Sequence, residues 1–440
     1  MPGNDGERQK RRRWHLPLAG ALLGLLAASA GVLVAGGTRY DRSTTIGGID
    51  VGGLSPQEAR SRLEQALDLS RRVLVLEARP GESYTLHFSE LGLVPDIDAS
   101  LAQARVSPWW RSAPQRLALI VHLDAQAFDR AAQALKQAVE RSPVSAALVF
   151  SAGGRVEVSP HSYGTVLDTG ALRQVVWPSR SWDALPTHAQ LPLTRVEPEV
   201  TQEELAALGI EFRLAEFSTN YRAGEPRADN IALAAAAING TLLGPGEEFS
   251  FNEVVGPRSA ERGYRAANTF YGHRVVPGIG GGVCQVSTTL YNAILLADLE
   301  LVQRFNHSLI VDYVPWGRDA AVAFDEDLDL RFRNSTRRHV LVRASAGAGT
   351  LTVGIYGQGP EDLRVTISTR LVRTLPYGTQ TILDPSLPAG KTVVVEGRAG
   401  KVVAAEAQVF AGGRYTIRRL PSSVYLPIPT VVRVGTHPGL

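Results

Sequence analysis

Gly280-Gly281-Gly282-Val283-Cys284-Gln285-Val286-Ser287-Thr288-Thr289-Leu290-Tyr291 is a glycine run feeding into a helical pattern, and it holds the only cysteine of the 440 residues. At about 100° per residue, Val286, Leu290, Ala293, Ile294 and Ala297 fall on one face, the natural core stripe of a helix. Cys284, Ser287, Thr288 and Tyr291 cluster opposite, so the sulfur has polar neighbours. The unpaired N–H groups and dipole of a helix N-terminus favour a thiolate, the nucleophilic form of sulfur. A free cysteine here also reads as a small buried hydrophobe.

Outward from this segment the pattern changes twice. Residues 40–197 read as an α+β domain. Ser55, Pro56 and Glu58 form a capping-box start to a helix whose stripe is Ala59, Leu63, Ala66 and Leu67. A second helix begins near Asp124, with Phe128, Ala131, Leu135 and Val139 on one face. Prolines over 192–198 and the turn Thr201-Gln202-Glu203-Glu204 mark a boundary, with 198–211 as linker. Beyond residue 360, short alternating strands punctuated by glycine and proline predict a small all-β module over 362–436.

The N-terminus speaks to compartment. Arg8, Lys10, Arg11, Arg12 and Arg13 precede an uncharged stretch, 16–37, long enough to cross a bilayer at about 20 residues per span. Basic residues stay cytoplasmic, so the remainder is expected outside, behind a single-pass anchor. Ala28-Ser29-Ala30 keeps a cleaved signal peptide open. The formal charge of +3 resides in residues 1–15, and the rest of the chain is electrically balanced. That balance speaks against a nucleic-acid partner, which needs a basic surface. One cysteine gives no internal disulfide, so an exported fold must rest on its core, which a 44% apolar composition can supply.

Three segments resemble known families. Residues 40–197 resemble the peptidoglycan-binding domain of bacterial VanW-type membrane proteins, through Gly47-Gly48-Ile49-Asp50-Val51-Gly52-Gly53-Leu54, Phe88-Ser89-Glu90-Leu91-Gly92-Leu93 and Ser162-Tyr163-Gly164-Thr165-Val166-Leu167-Asp168. Residues 212–357 carry a series of VanW-like motifs in one order. These include Phe217-Ser218-Thr219-Asn220-Tyr221, Gly246-Glu247-Glu248-Phe249-Ser250-Phe251-Asn252, the cysteine segment, Arg304-Phe305-Asn306-His307-Ser308 and Tyr313-Val314-Pro315-Trp316-Gly317-Arg318-Asp319-Ala320. Residues 362–436 resemble the extracellular G-five domain of cell-wall proteins. The fold class expected is multi-domain α+β, membrane-anchored, ending in an all-β module.

The VanW resemblance implies L,D-transpeptidase chemistry on peptidoglycan with Cys284 as nucleophile. A cysteine acyl transferase needs a base, a group orienting it, and donors for the oxyanion. His307 is the candidate base, in a segment expected to enter a strand at Leu309-Ile310-Val311, and His273 is its rival. Asp319 is a candidate to orient the imidazole or to bind a substrate amine, and it reads equally as a turn residue after Gly317. Gln285 and the Cys284 N–H are candidate oxyanion donors; Ser287, Thr288 and Tyr291 are candidate stem-peptide contacts. Arg304, Arg318 and Arg331 are candidates to hold a substrate carboxylate. On this reading residues 212–357 alone suffice for the thiol chemistry. The expected partners are peptidoglycan stem peptides and glycan, with the cytoplasmic membrane at 16–37. A non-catalytic wall-binding or scaffolding protein, linked to glycopeptide resistance, is the other reading.

No cofactor or metal is expected. The acidic run Asp325-Glu326-Asp327-Leu328-Asp329 lacks the spacing of a calcium loop and reads as a turn into a strand. There is no H-E-x-x-H pattern, and the glycine run lacks the lysine of a phosphate loop.

Overall fold

The computed structural model describes residues 39–68, 71–107, 114–271 and 274–437. The expected anchor over 16–37 and His273 lie outside the described residues. Among the described residues no helix is long and apolar enough to cross a membrane.

The described chain forms two compact units, neither continuous in sequence. The first comprises residues up to 143 together with 163–197. Its helix Pro56–Ala66 begins with the expected capping box, Ser55 and Glu58 each closing on the other's backbone. Ala59 and Leu63 are buried on this helix, whereas Ala66 is exposed at its end. Helix Ala125–Val139 buries Phe128, Ala132, Leu135 and Val139 against Leu74, Leu76, Phe88, Leu91 and Leu93. Gly92 explains the sharp return after Phe88. It has φ of +77°, and a Cβ there would stand 2.6 Å from the Asp124 carbonyl oxygen.

The second unit contains 144–162 and 198 onward. The antiparallel hairpin Leu148–Phe150 with Val156–Val158 belongs here, because Val156 N–H donates to Glu211 O and Phe150 packs edge-on against Tyr356. The central antiparallel sheet orders Phe212–Asn220, Thr350–Gly357, Val340–Gly347 and Thr241–Leu243. Helix Pro226–Ile238 starts at a proline that needs no N–H partner and buries Ile231, Ala234, Ala235 and Ile238. It and helix Val283–Leu296 share one core with the sheet.

A smaller sheet of Glu248–Ser250, Arg331–Arg333 and Glu300–Gln303 stacks Phe249 on Phe332. The acidic run does begin in a turn, at 324–327, the strand that follows starts at Arg331, and Asp329 is buried with its carboxylate occupied. It accepts from Ser250 Oγ at 2.6 Å and from the N–H groups of Asn252 and Leu330 at 2.9 and 2.8 Å.

The C-terminal module is all β, as its alternation predicts. Arg364–Leu375, Gly400–Ala411 and Arg414–Tyr425 form one antiparallel sheet. Thr379–Pro388, Thr430–His437 and Thr392–Val395 form another, its first pair parallel. The first of these sheets is not a separate bead. Ala405, Ala407, Val409 and Leu420 bury into the same core as Leu290, Ile294 and Phe332.

Asp329→Ala removes one acceptor from three buried donors, and a buried donor left unpaired costs its desolvation. Urea denaturation is expected to show a loss of about 3 kcal/mol. A loss below about 1 kcal/mol would mean that this carboxylate does not fasten the smaller sheet.

Candidate active site

The glycine run is shaped by what surrounds it. Gly282, the N-cap of the cysteine helix, has φ of +113°, and a Cβ there would meet Arg227 Cγ at 2.9 Å. A Cβ on Gly281 would stand 2.6 Å from the Ala267 carbonyl oxygen. Larger residues at either position would push the turn off helix Pro226–Ile238 or off the hairpin Ala266–Tyr271 and Arg274–Ile279. Asn230 locks the turn by donating to Gly281 O and Arg265 O and accepting from Arg265 N–H. Cys284 is therefore fixed in the first turn of a 14-residue helix, partly exposed, with no intrahelical acceptor for its own N–H.

A single bridge between Phe305 and Ala321 sets the rest. In this antiparallel register, two residues further along each strand bring His307 opposite Asp319. Both are buried, at 5% and 0% exposure. His307 Nδ1 and its main-chain N lie 2.7 Å from Asp319 Oδ2. An ionised carboxylate only accepts, so Nδ1 carries a proton and Nε2 is left for the sulfur. The same strand segment presents Val322 O to Cys284 Sγ at 3.3 Å.

The other oxygen of Asp319 is equally committed. Oδ1 accepts from Arg304 Nη2 at 3.1 Å and from the Tyr425 hydroxyl at 2.6 Å. Arg304 also donates through Nε to Asp319 O. The Tyr425 oxygen in turn accepts from Gly317 N–H at 2.6 Å.

The charges follow from these contacts. Burial opposes ionisation of all three groups. Hydrogen bonds to Asp319 and Cys284 and the charges of both outweigh it for His307, pushing its pKa up to about 9. For Cys284, burial raises the thiol, but the hydrogen bond and charge of His307, with Arg258 nearby, leave it below the ordinary value. Asp319 is likewise held low against burial by His307, Arg304 and Tyr425. The contacts of His307 therefore shift the Cys284 thiol towards its ionised form and hold Asp319 as a carboxylate.

Of the residues expected to act, Cys284, His307 and Asp319 are brought together and most others are not available to substrate. Gln285 is buried, donating to Thr219 Oγ1 and Asn220 O while accepting from Arg227, which removes its side chain as an oxyanion donor. Ser287 and Thr288 point at Ala320 O, and Thr288 also accepts from Ala320 N–H, so they latch the helix to the Asp319 loop. Tyr291 is fully buried beneath Arg304. Arg304 is spent on Asp319. Arg318 donates to Asn292 Oδ1 and lies over Phe217, and Arg331 pairs with Glu248. Arg304 is thus not left for a substrate carboxylate, while Arg318 and Arg331 are each engaged through Nε. The strand expected at residues 309–311 is absent, since Ser308 O instead accepts from Leu426 N–H of the β module.

Three residues of this neighbourhood escape the sequence reading. Tyr425 lies outside the motif-bearing segment and looks there like any strand-end tyrosine. Tyr313 is raised by burial and by the Cys284 charge. Arg258 donates through Nη2 to Asn252 Oδ1 at 2.7 Å and lies over Phe251 and Phe324. Its Nη1 is buried without a hydrogen-bond partner among the described residues. Nothing in its local sequence signals this.

Two families match this chain. A family described as VanW like protein matches residues 226–356, and one described as G5 domain matches residues 368–437. The uncharacterized protein YoaR of Bacillus subtilis (strain 168) is 33% identical over 235 residues, 53% of this chain and 75% of YoaR. The vancomycin B-type resistance protein VanW of Enterococcus faecalis (strain ATCC 700802 / V583) is 33% identical over 119 residues, 26% of this chain and 42% of that protein. An IgA1 protease G5 domain structure is 18% identical and covers 18% of this chain and 99% of its own, with a TM-score of 0.13, too low to build on. With the cysteine helix, the histidine segment and Asp319 all inside the matched stretch, and a relative covered over three quarters of its length, the chain belongs to the VanW family.

Proposed function

We propose that this protein is a cysteine acyl transferase of the bacterial cell envelope, exchanging peptide bonds in peptidoglycan stem peptides in the manner of an L,D-transpeptidase. The observation that carries the reading is the 2.7 Å contact of His307 Nδ1 with Asp319, which directs the other ring nitrogen away from the carboxylate, beside a cysteine whose electrostatics are coupled to the same histidine. A structural cysteine has no need of an ionised, hydrogen-bonded histidine.

The Cys284 thiolate attacks the carbonyl carbon preceding a terminal D-residue. The C–S bond forms, and the oxyanion is met by the Cys284 N–H at the helix terminus, where the dipole adds to the field. As the C–N bond breaks, imidazolium Nε2–H of His307 gives its proton to the departing amine. An amine of a neighbouring stem then attacks the thioester, forming a C–N bond and breaking C–S. His307 takes the proton released, and the thiolate–imidazolium pair is restored. The step is an exchange of one amide for another and consumes no ATP. The departing D-residue carries a carboxylate, and Arg258, with its uncommitted Nη1 and its charge near the sulfur, is the group suited to receive it. The G5 match supports placement at the cell wall, and the resemblance of residues 40–197 supports a second contact with peptidoglycan.

Intact-mass spectrometry of the full chain with a stem peptide ending in a D-residue should show a thioester adduct, absent in Cys284→Ala. A wild-type mass that never changes would favour the non-catalytic wall-binding reading.

The charge state also makes a prediction. Alkylation of native Cys284 by iodoacetamide should be substantial near neutral pH, below the ~8.5 of a free thiol. His307→Ala should move that profile about one unit or more to higher pH, since the imidazolium partner is lost. Acylation should fall as pH rises through about 9, where His307 gives up the proton the leaving amine needs. A profile that ignores His307 would sink the assignment of the base.

A further inference from the structure

One side chain that touches the array comes from outside the VanW match, whose residues are 226–356. We infer that Tyr425, supplied by the C-terminal β module, is a positioning residue for the His307–Asp319 pair, so that the active unit of this chain extends past residue 357 into that module. This rests on the reading of Cys284 as an activated nucleophile.

The geometry is specific. Tyr425 is 1% exposed and ends the strand Arg414–Tyr425. Its hydroxyl bridges two atoms of the Asp319 loop, donating to Asp319 Oδ1 at 2.6 Å while accepting Gly317 N–H at 2.6 Å. With Arg304 on the same oxygen, this fixes the rotation of the carboxylate about its χ angles and aims Oδ2 at His307. The strand end also grips the histidine segment on both sides of His307. Asn306 Nδ2 donates to Val424 O at 2.8 Å, its Oδ1 accepts from Val424 N–H at 3.3 Å, and Leu426 N–H donates to Ser308 O at 2.7 Å. Residues 306, 307, 308, 317 and 319 are thus all fastened, directly or through one atom, to residues 424–426. Burial and the Asp319 charge keep the phenol protonated, so it stays a donor across the working range.

The charged and titratable groups facing this pair are few. Asp319 and Cys284 flank His307, Arg304 lies on the far oxygen of Asp319, and Tyr313 and Arg258 face the sulfur. Removing the Tyr425 hydroxyl changes none of these charges. It frees the carboxylate to turn and leaves Gly317 N–H unpaired. The imidazolium is then held less well, and the thiolate loses part of its partner.

The experiment is the iodoacetamide profile of the full chain with Tyr425→Phe, which keeps the ring and deletes one oxygen. Alkylation at neutral pH is expected to slow about threefold to tenfold, with the profile moved towards higher pH, the size expected for an indirect loss to a charged acceptor. Leu420→Ala, in the same strand but in the shared core, is the control for a merely structural role. It should lower the melting temperature without moving the profile. An unmoved profile in folded Tyr425→Phe, or one moved to lower pH, overturns the inference. Should that variant fail to fold, Asn306→Ser, which loosens the same strand end but retains the hydroxyl, must shift the profile in the same direction, and an unmoved one again overturns it. Alkylation reads the thiolate and not acyl transfer. A shifted profile in a protein that forms no adduct would leave the positioning role standing and remove the transferase. Equal adduct formation and equal profiles in wild type and Tyr425→Phe would do the reverse.

Discussion

The buried carboxylate of Asp319 organises this part of the molecule. A charge removed from water is tolerable only when its oxygens are met by donors, and here four arrive from two separate segments: two from His307 and one from Arg304 in the first, and one from Tyr425 in the second. Satisfying that one group draws the segment after Glu300–Gln303, the loop at residues 317–322 and the end of the Arg414–Tyr425 strand to a common point. The orientation of His307, and through it the state of Cys284, follows from the same contacts. Removing any donor leaves an expensive charge under-solvated, which is why the array behaves as a unit.

The cysteine helix illustrates how a sound pattern leads to an incomplete conclusion. Its apolar stripe and its polar face are both present, and a polar face ordinarily means solvent or substrate. Every residue from Gln285 to Leu295 is nevertheless buried. The polar side chains are consumed by main-chain groups of neighbouring segments: Ser287 and Thr288 by Ala320, Asn292 by Arg318 O, Gln285 by Asn220 O. In a helix covered on all sides, hydroxyls and amides serve to satisfy loops that have no sheet partner of their own. Sequence periodicity gives the direction of a side chain but not what lies beyond it.

Motif boundaries and physical boundaries also differ. The hairpin of residues 144–162 belongs with the second unit because it pairs with Glu211 and packs on Tyr356, although the stretch around it reads as part of the first domain. The G5-matched segment begins a new pattern of strands, yet Ala405, Ala407, Val409 and Leu420 complete a core begun by Val283–Leu296. A sheet with apolar residues on its inner face must bury them against something, and here the neighbouring helix supplies the surface.

The sequence by itself determined the local elements and their chemistry. The glycine turn into a helix at Cys284, the capping boxes at Ser55 and Thr201, the all-β C-terminus, and the triple of Cys284, His307 and Asp319 were legible because backbone conformation, helix capping and motif membership depend on residues close in the chain. What only the tertiary structure decided was which polar groups are free and which are spent. Arg304 is a substrate clamp by type and a carboxylate support by position, whereas Arg258 is unremarkable by type and keeps one buried nitrogen, Nη1, without a hydrogen-bond partner among the described residues. Tyr425 reaches Asp319 across 106 residues. Hydrogen-bond satisfaction of buried groups is settled between segments distant in sequence, and no local pattern encodes it.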